Sequence, residues 1–391
     1  MSTNITDAVS DFLAAHDPAT TERLDFLRAQ FDAGLAWVHY PEGLGGRGLD
    51  RELQATVDRL LAEAGAPTNE PHRNIIGLGM AAPTILRFGT DEQKARWLRP
   101  LWTGEEIWCQ LFSEPGAGSD LANVATSAVR KDDRWVVNGQ KVWTSLAHDA
   151  RWAILVTRTD PSVPKHNGLT FFVCDMTAAG VDVRPLRQIT GESEFNEVFL
   201  DGVEIPDEYR LGEVGQGWAV TQNTLMNERV AIAAGTVPRE SGAIGELVKV
   251  WRERPELRTA ALHDKVLRFW VEAEVARLTA ERLGQQQAAG EPGPEASGSK
   301  ITYARLNQQI ASLELDLLGA EALRYGDYTA RRPVIVEHSE NPAGWRYLRA
   351  KGNSIEGGTS EIMRNIIAER VLQLPPEPRA DKDTPWKDLP R

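Results

Sequence analysis

The chain has 391 residues, of which 41% are apolar and 26% are charged, which predicts two or three domains, or one large composite domain, with a sizeable core. Its formal net charge of −12 argues against nucleic acid and anionic membranes as partners. The two cysteines, Cys109 and Cys174, indicate neither a disulfide framework nor a zinc site, which suits a reducing cytoplasm.

Residues 1–108 are predicted to form an N-terminal helical domain. The first residues have neither the basic nor the apolar part of a signal peptide, and no apolar run is long enough to span a bilayer, so a cytoplasmic protein is expected. Thr90 and Gln93 have the spacing of a capping box that opens a helix.

A glycine motif in this domain, Gly43 to Gly48, fits the pattern G-x-G-x-x-G and follows the strand-like segment Leu35–Tyr40. The dinucleotide fingerprint needs a strand that runs directly into the glycine turn inside a βαβ unit. Here Pro41 and Glu42 intervene, and the next segments are helical. The motif is therefore interpreted as a tight turn and not as a nicotinamide site.

Residues 109–212 are predicted to form a middle antiparallel β-domain, because short runs rich in β-branched and aromatic residues alternate with turn residues. Asn138-Gly139 and Asp201-Gly202 are among the predicted turns. The predicted strands are Arg134–Asn138, Trp152–Thr157, Leu169–Val173, Val181–Val183 and Glu197–Leu200.

Two motifs of the middle domain are candidates for ligand binding. The loop Ser113 to Asp120 reads SEPGAGSD, and its glycines would let backbone N–H groups approach a pyrophosphate; the alternative is a plain connector. Gln140 to Ser145 reads QKVWTS, where an indole beside two hydroxyls would suit a planar ring; the alternative is an ordinary strand with an interior tryptophan.

Residues 213–374 are predicted to form a C-terminal helical domain, with a loop over Gly284–Ser299 between two long helices. The Pro-rich, charged tail, residues 375–391, is expected to be disordered or to lie along a neighbouring subunit. The glycine loop Ile355 to Ile362 would bring backbone N–H groups to a ligand, or it is a simple helix start capped by Thr359 or Ser360.

One carboxylate in the C-terminal domain has an unusual setting. Glu228 falls at helical spacing in a mostly apolar stripe, and a desolvated Glu has the raised pKa that a general base needs near neutral pH. The alternative is a structural ion pair with an arginine of a neighbouring helix. The stripe consists of Trp218, Thr221, Leu225, Glu228 and Ile232.

Several of these motifs, in this order, resemble the acyl-CoA dehydrogenase family of flavoproteins. The resemblance covers nearly the whole chain and implies an α+β fold with an N-terminal helical domain, a middle antiparallel β-domain and a C-terminal four-helix bundle. The motifs that carry it are Tyr40-Pro-Glu-Gly with Gly45-Gly-Arg-Gly, Phe112 to Asp120, Asn138 to Trp143, Gly357 to Ile362 and Arg364 to Arg370.

The resemblance implies that FAD is the cofactor and an acyl-CoA thioester the substrate, and that a carboxylate removes the α-proton while the flavin accepts a hydride from the β-carbon. Ser119 would contact the cofactor or the CoA chain. The residues implied to contact FAD are Leu111, Phe112, Ser113, Gly118, Ser119, Trp143, Thr144, Ser145, Thr359 and Glu361.

The position of the base departs from the commonest pattern in the family. Many members carry the base as Glu in a C-terminal Tyr-Glu-Gly-Thr motif, where this chain has Gly357, and Glu356 is one residue away. Other branches, which resemble isovaleryl-CoA and long-chain dehydrogenases, carry it as Glu-Arg on a helix, and this chain has Glu228-Arg229 there. The resemblance therefore implies that Glu228 is the base, that Arg229 holds the CoA arm and that the Gly357 N–H binds the thioester carbonyl.

A second departure concerns assembly. Family homotetramers complete each FAD pocket with residues of a neighbouring subunit, at positions that resemble Asp264 and the stretch Asp316 to Ala320 here. An Asp near a pyrophosphate is repulsive. This pattern and the run Arg187 to Glu197 resemble sterol side-chain dehydrogenases that are heterotetramers. The expectation is an α2β2 assembly with a homologous chain, with a homotetramer as the alternative.

The predicted activity is FAD-dependent α,β-dehydrogenation of an acyl-CoA with a bulky or branched acyl chain, such as a sterol side chain, and an electron-transferring flavoprotein as acceptor. One alternative is an acyl-CoA oxidase-like enzyme, which differs in whether oxygen reoxidises the flavin. The other is a catalytically idle structural subunit of a heteromeric dehydrogenase. No metal is expected.

Overall fold

A computed structural model describes residues 4–233, 238–288, 293–324, 329–335, 341–379 and 381–390, with the backbone alone for 227–233 and 287–288. The α+β class predicted from the sequence is confirmed. The chain divides into two compact units. The first comprises Met1–Pro185, Phe195–Asn227 and Ala380–Arg391, and the second comprises Leu186–Glu194 and Glu228–Arg379.

The first unit begins with helices that bury one face each. Helix α5 starts at the predicted capping box, since the Thr90 side chain accepts a hydrogen bond from the Gln93 N–H and the Gln93 side chain accepts one from the Thr90 N–H. Phe12 and Phe26 meet edge to face in the core beneath. The helices are α1 Ile5–Ala15, α2 Arg23–Asp32, α3 Gln54–Glu63, α4 Ala82–Phe88 and α5 Asp91–Thr103.

The glycine motif of the first unit is a tight turn, as predicted. The N–H groups of Ala36 and Trp37 both donate to the Gly45 carbonyl, and Glu42 pairs with Gly46 in an isolated bridge. The strand-like segment before the motif is folded into turns by these bonds and forms no strand. The geometry of a dinucleotide fingerprint is therefore missing from this described segment.

The sheet of the first unit has the order β6-β7-β3-β2-β4-β5-β8, and β1 lies beside β4. Most neighbours are antiparallel, but β4 runs parallel to both β1 and β2, so the sheet is mixed and not purely antiparallel as predicted. All five predicted strands are present. The strands are β1 Trp108–Leu111, β2 Ser127–Lys131, β3 Arg134–Ser145, β4 Trp152–Arg158, β5 Leu169–Asp175, β6 Val181–Pro185, β7 Phe195–Pro206 and β8 Arg210–Leu211.

Two of the predicted turns are wrong, because Asn138-Gly139 lies inside β3 and Asp201-Gly202 inside β7. The register between these paired strands shifts next to Gly139, and the Asn138 side chain accepts a hydrogen bond of 2.8 Å from the Gly202 N–H. A Cβ at Gly139 would lie 2.3 Å from the Thr126 hydroxyl. The glycines therefore serve a bulge and a close approach between strands, not a chain reversal.

Helix α6, Gly217–Ala233, begins in the first unit, and the other C-terminal helices belong to the second. The predicted loop over Gly284–Ser299 is too long, because α8 continues through the helix-forming Gln and Ala residues to Ala288 and α9 begins at Ala296. None of the described helices has the length and apolarity to cross a membrane. The helices are α7 Ala243–Glu253, α8 Ala260–Ala288, α9 Ala296–Leu318, α10 Ala343–Ala350 and α11 Ser360–Ile366.

The second unit has its own core on one face of α7, α8 and α9, which includes Leu247, Ile310 and Leu313. The tail departs from its prediction, because residues 381–390 pack against the first unit of the same chain. The large side chain of Trp386 supplies apolar contact that the Pro-rich and charged composition of the tail did not suggest.

Candidate functional site

The main-chain turn after β1 is held by a fully buried lysine of β3. The Lys141 ammonium donates to the Phe112 carbonyl at 2.9 Å, to the Glu114 carboxylate at 2.8 Å and to the Val156 carbonyl at 2.9 Å, which uses all its donors. The Val142 N–H donates to the Ser113 carbonyl at 2.9 Å. The motifs around Ser113 and Lys141, which are distant in sequence, are thus joined by side-chain and main-chain bonds.

Glu114 is the second member of this buried ion pair. Its carboxylate also accepts from the N–H groups of Ala125 at 2.6 Å and Thr126 at 2.9 Å. Burial opposes the charge of Glu114, but the Lys141 ammonium and these hydrogen bonds outweigh it and hold the pKa below its ordinary value of 4.5. The carboxylate therefore fixes the start of the glycine-rich loop to the segment that follows it.

The side chains at the start of this loop face different surroundings. Leu111 and Phe112 are buried in the core, where the Phe112 ring meets Phe171 edge to face at 5.7 Å. Ser113 is half-buried, and Gly118 and Ser119 are exposed. A Cβ at Gly118 would meet no atom within 4 Å, so its backbone borders open space that a ligand could occupy.

The motif of β3 contains a bulge that turns Trp143 outward. The pairing register with β7 shifts between Lys141 and Thr144, and Trp143 has a φ of +60°, which is uncommon for an aromatic residue. Its side chain is 58% exposed and touches only the edge of Phe195 among the described aromatic rings. Such backbone strain is typical of functional sites.

Thr144, next to this bulge, carries a polar group without a protein partner. Its hydroxyl is buried, and no hydrogen-bond partner for it exists among the described residues. A buried hydroxyl without a partner costs free energy unless a ligand supplies the bond. The neighbouring Ser145 is half-buried. The exposed indole and the unpartnered hydroxyl thus belong to consecutive residues of β3, and a planar ring with polar edges could engage either group.

The predicted base lies outside the described side chains. Glu228 and Arg229 belong to the backbone of α6, but nothing beyond that is described for them. In the described part of this helix the buried residues include Val220, Thr221 and Thr224, and the Thr224 hydroxyl shares a hydrogen bond of 2.8 Å with the Thr84 hydroxyl. The role of Glu228 therefore stays a prediction.

The glycine loop of the second unit is a helix start. Gly357 has a φ of +62°, Gly358 a φ of +93°, and the Thr359 side chain caps α11 by accepting from the Ile362 N–H at 3.2 Å. The Lys300 ammonium donates to the Gly358 carbonyl at 2.6 Å and so holds the turn. Thr359 is therefore the helix cap, which was one of the two interpretations of this loop. The Gly357 N–H is the backbone group of the loop that stays a candidate for ligand binding.

The two carboxylates of this loop have arginine partners. Glu361 is exposed and pairs with Arg364 at 3.3 Å on the helix surface. Glu356 pairs with Arg349 at 2.9 Å and accepts from the Asn353 side chain at 2.6 Å. A carboxylate whose oxygens are engaged by a guanidinium and an amide is held in place as a structural anchor, which makes Glu356 a poor candidate for a base.

The acidic residues singled out for assembly lie on the helix surface of the second unit. Asp264 is exposed and pairs with Arg268 at 2.8 Å along α8, and this pair lowers the pKa of Asp264. Asp316 is exposed near the end of α9. In the described part of the chain, no group of three or more His, Cys, Asp or Glu residues could hold a metal ion.

The sequence did not single out Lys141, Glu114 or Lys300 as residues that shape a site. Glu114 and Lys141 lie within the two candidate motifs of the middle domain, but a lysine in a strand is normally solvated, and Lys300 follows directly on the predicted loop Gly284–Ser299. No signal in the sequence separates Lys141 from a solvated lysine of a strand.

Sequence profiles of three domains match the chain in order. They are described as acyl-CoA dehydrogenase N-terminal domain over residues 3–105, middle domain over residues 109–203 and C-terminal domain over residues 215–372. Together they cover nearly the whole chain, in the order that the sequence motifs indicated.

Individual proteins agree with these profiles. The acyl-CoA dehydrogenase FadE34 of Mycobacterium tuberculosis is 42% identical over 88% of this chain, which spans about half of FadE34, 45% of its length. The acyl-CoA dehydrogenase IpdE1 of the same organism is 36% identical over 88% of this chain and 86% of its own. A solved ChsE4–ChsE5 complex from Mycobacterium tuberculosis contains a chain that is 28% identical with a TM-score of 0.71, over 95% of this chain and 97% of that one.

Proposed function

Because the chain belongs to the acyl-CoA dehydrogenase family, we propose that it catalyses FAD-dependent α,β-dehydrogenation of an acyl-CoA thioester. The observation that carries this proposal is that consecutive residues of β3 present an exposed indole, Trp143, and a buried hydroxyl without a hydrogen-bond partner, Thr144. FAD, when bound, supplies a planar ring system that stacks on an indole, accepts a hydrogen bond from a hydroxyl and takes up a hydride.

The residues of the first unit are assigned to hold the cofactor. Trp143, Thr144 and Ser145 would contact the ring. The main chain at Phe112 and Ser113, fixed by Lys141, would contact it as well, since the side chains of Leu111 and Phe112 are occupied in the core. Gly118 and Ser119 are exposed, and their backbone would approach a pyrophosphate.

The residues of the second unit are assigned to the chemistry and to substrate binding. Glu228 removes the α-proton of the thioester, and the Gly357 N–H donates to the thioester carbonyl and stabilises the negative charge that develops there. The ion pair between Glu356 and Arg349 supports this choice of base, because Glu356 is the carboxylate next to Gly357 in sequence and it is already paired. Arg229 is assigned to the CoA arm, and Thr359 and Glu361 to the cofactor.

The acyl group is proposed to be bulky or branched, such as a sterol side chain. Support comes from the position of the base on a helix and from the run Arg187 to Glu197, which resembles sterol side-chain dehydrogenases. The test is anaerobic mixing of the flavin-loaded protein with CoA thioesters of a sterol side chain, of isovalerate and of butyrate. We expect loss of the visible flavin absorbance with the first. Bleaching by butyryl-CoA alone would refute the assignment.

The chain is also proposed to assemble with a homologous partner in an α2β2 heterotetramer. Helix α8 has an exposed apolar stripe at helical spacing, consisting of Leu267, Val271, Val275 and Leu278, each at least 50% exposed in the single chain. Asp264 and Asp316 disfavour a second copy of this chain as the source of pyrophosphate contacts. The solved ChsE4–ChsE5 relative is a complex of two different chains, which supports this arrangement.

The mass in solution and the flavin content of the chain purified alone test the partner proposal. We expect a flavin-poor protein that gains FAD only when a homologous chain is co-expressed. A fully flavin-loaded homotetramer of the single chain would refute the need for a partner and would leave a self-sufficient dehydrogenase.

We propose that an electron-transferring flavoprotein, and not oxygen, reoxidises the flavin in the last step. The rate of reoxidation with each acceptor distinguishes a dehydrogenase from an oxidase.

A further inference from the structure

Residues 381–390, which we call the Trp386 segment, lie along a turn between β4 and β5. The Trp386 N–H donates to the Val163 carbonyl at 2.9 Å and the Lys387 N–H to the Pro161 carbonyl at 3.0 Å. Pro385 pairs with Pro164 in an isolated bridge. These main-chain bonds align the segment with the turn, so its position does not depend on side chains alone.

The Trp386 side chain reaches from this turn to the short helix that follows the glycine-rich loop. Its indole N–H donates to the Asn123 side chain at 2.8 Å, and its ring lies over the Arg158 guanidinium at 4.7 Å. The buried Arg158 in turn donates to the carbonyls of Ala122 at 2.6 Å and Lys165 at 2.6 Å. Trp386 therefore closes a network that joins the turn to residues 121–123.

A second link reaches the loop itself. The Lys165 ammonium lies 2.8 Å from the Asp120 carboxylate and 2.6 Å from the Asp381 carboxylate. Asp120 directly follows Ser119, the exposed residue at the end of the glycine-rich loop. The start of this loop is held by the buried pair of Lys141 and Glu114, and its end is held by contacts that involve the Trp386 segment.

We propose that Trp386 is a positioning residue that fixes the end of the glycine-rich loop for a ligand that carries a pyrophosphate, either FAD or the CoA of the substrate. This inference rests on the proposed function. An exposed glycine-rich loop has many conformations, and a ligand that orders it loses affinity. By anchoring Asn123 and Arg158, Trp386 removes part of that entropic cost before the ligand arrives.

The test uses Trp386→Ala, Trp386→Phe and, as a matched control, Lys382→Ala, an exposed residue of the same segment. The protein is studied in the assembly in which it takes up FAD. Hydrogen exchange of the peptide over residues 113–124 is measured without ligand, where the N–H groups of Glu114 and Asn123 form local turn bonds. We expect roughly tenfold faster exchange in Trp386→Ala, a smaller effect in Trp386→Phe, which keeps a ring over Arg158, and none in the control.

Ligand affinities identify which pyrophosphate the loop serves. FAD is titrated into the apoprotein, and KM and kcat for the acyl-CoA are measured on the FAD-saturated protein. A roughly tenfold weaker FAD dissociation constant in Trp386→Ala assigns the loop to FAD; a roughly tenfold higher KM with little change in kcat assigns it to CoA.

The inference and the proposed function fail in different ways. Unchanged exchange of residues 113–124 in Trp386→Ala, or unchanged affinities for both ligands, overturns the inference while flavin binding and activity persist. A parent protein that takes up no FAD in any assembly overturns the proposed function, and the exchange measurement still reports whether Trp386 fixes the loop.

Discussion

Replacing Lys141 by methionine is expected to lower the stability of the folded chain, because it breaks the buried ion pair with Glu114. The substitution keeps the volume but removes the charge beside Glu114, whose side chain is 7% exposed while that of Lys141 is 0% exposed. Removing one partner of a buried ion pair costs about 3–5 kcal/mol, because the other charge stays buried. The two N–H donors that remain on Glu114 place the expectation at the lower end, about 3 kcal/mol.

Thermal unfolding of the purified protein at a fixed heating rate is the assay. A loss of about 3 kcal/mol lowers the unfolding temperature of a unit of this size by roughly 6–12 °C. The control is Arg134→Met, which breaks the exposed pair of Arg134 and Glu204 at 2.7 Å and is expected to change the unfolding temperature little, because water screens an exposed pair.

A double variant, Lys141→Met with Glu114→Gln, completes the design, because it removes both charges and should recover part of the loss. If Lys141→Met unfolds no earlier than the Arg134→Met control, the buried pair does not hold the loop in the way described. If the double variant is no better than the single one, the cost comes from lost packing and carbonyl contacts and not from an unpaired charge.

Other outcomes follow from single groups of the site. Glu114 has a lowered pKa in the folded chain, so the stability that its charge contributes is complete above pH 4.5 and is lost as the pH falls through the lower folded pKa. In denaturant titrations, the difference in stability between the parent and Glu114→Gln should therefore close below pH 4.5. A difference that widens there would contradict a lowered pKa. Thr144→Val should leave the stability of the apoprotein unchanged or raise it by up to about 1 kcal/mol, yet weaken FAD binding about fivefold in a fluorescence titration; a loss of apoprotein stability would mean that the hydroxyl already has a partner.

The strands and the capped helix could be predicted because their signals are local. Trp152–Thr157 and Leu169–Val173 are runs of β-branched and aromatic residues, and both extend by only one or two residues in the structure. The short strands β1 and β2 escaped prediction because their pairing with β4 and β3 is decided by the sheet and not by their own composition. Asn138-Gly139 has the local signature of a turn, and only its partner strand shows that it is a bulge.

The sequence motifs predicted which segments form the candidate site, but they did not predict which side chains hold those segments in place. The sequence brings out Ser113 to Asp120 and Trp143, but it cannot indicate that Lys141 is buried or that three acceptors surround it, because solvated and buried lysines read alike. Trp386 escaped for a related reason, since a tryptophan in a Pro-rich, charged segment gives no indication of the arginine beneath it.

The proposed dehydrogenase activity depends on removal of the α-proton by Glu228. The most direct measurement compares Glu228→Gln with Glu356→Gln in the flavin-loaded assembly, mixed anaerobically with the CoA thioester of a sterol side chain. The assignment of Glu228 as base predicts that Glu228→Gln keeps its visible flavin spectrum and is not bleached, whereas Glu356→Gln is bleached at a rate near that of the parent, because Glu356 is paired with Arg349. Normal bleaching of Glu228→Gln, with loss of bleaching in Glu356→Gln, would contradict it.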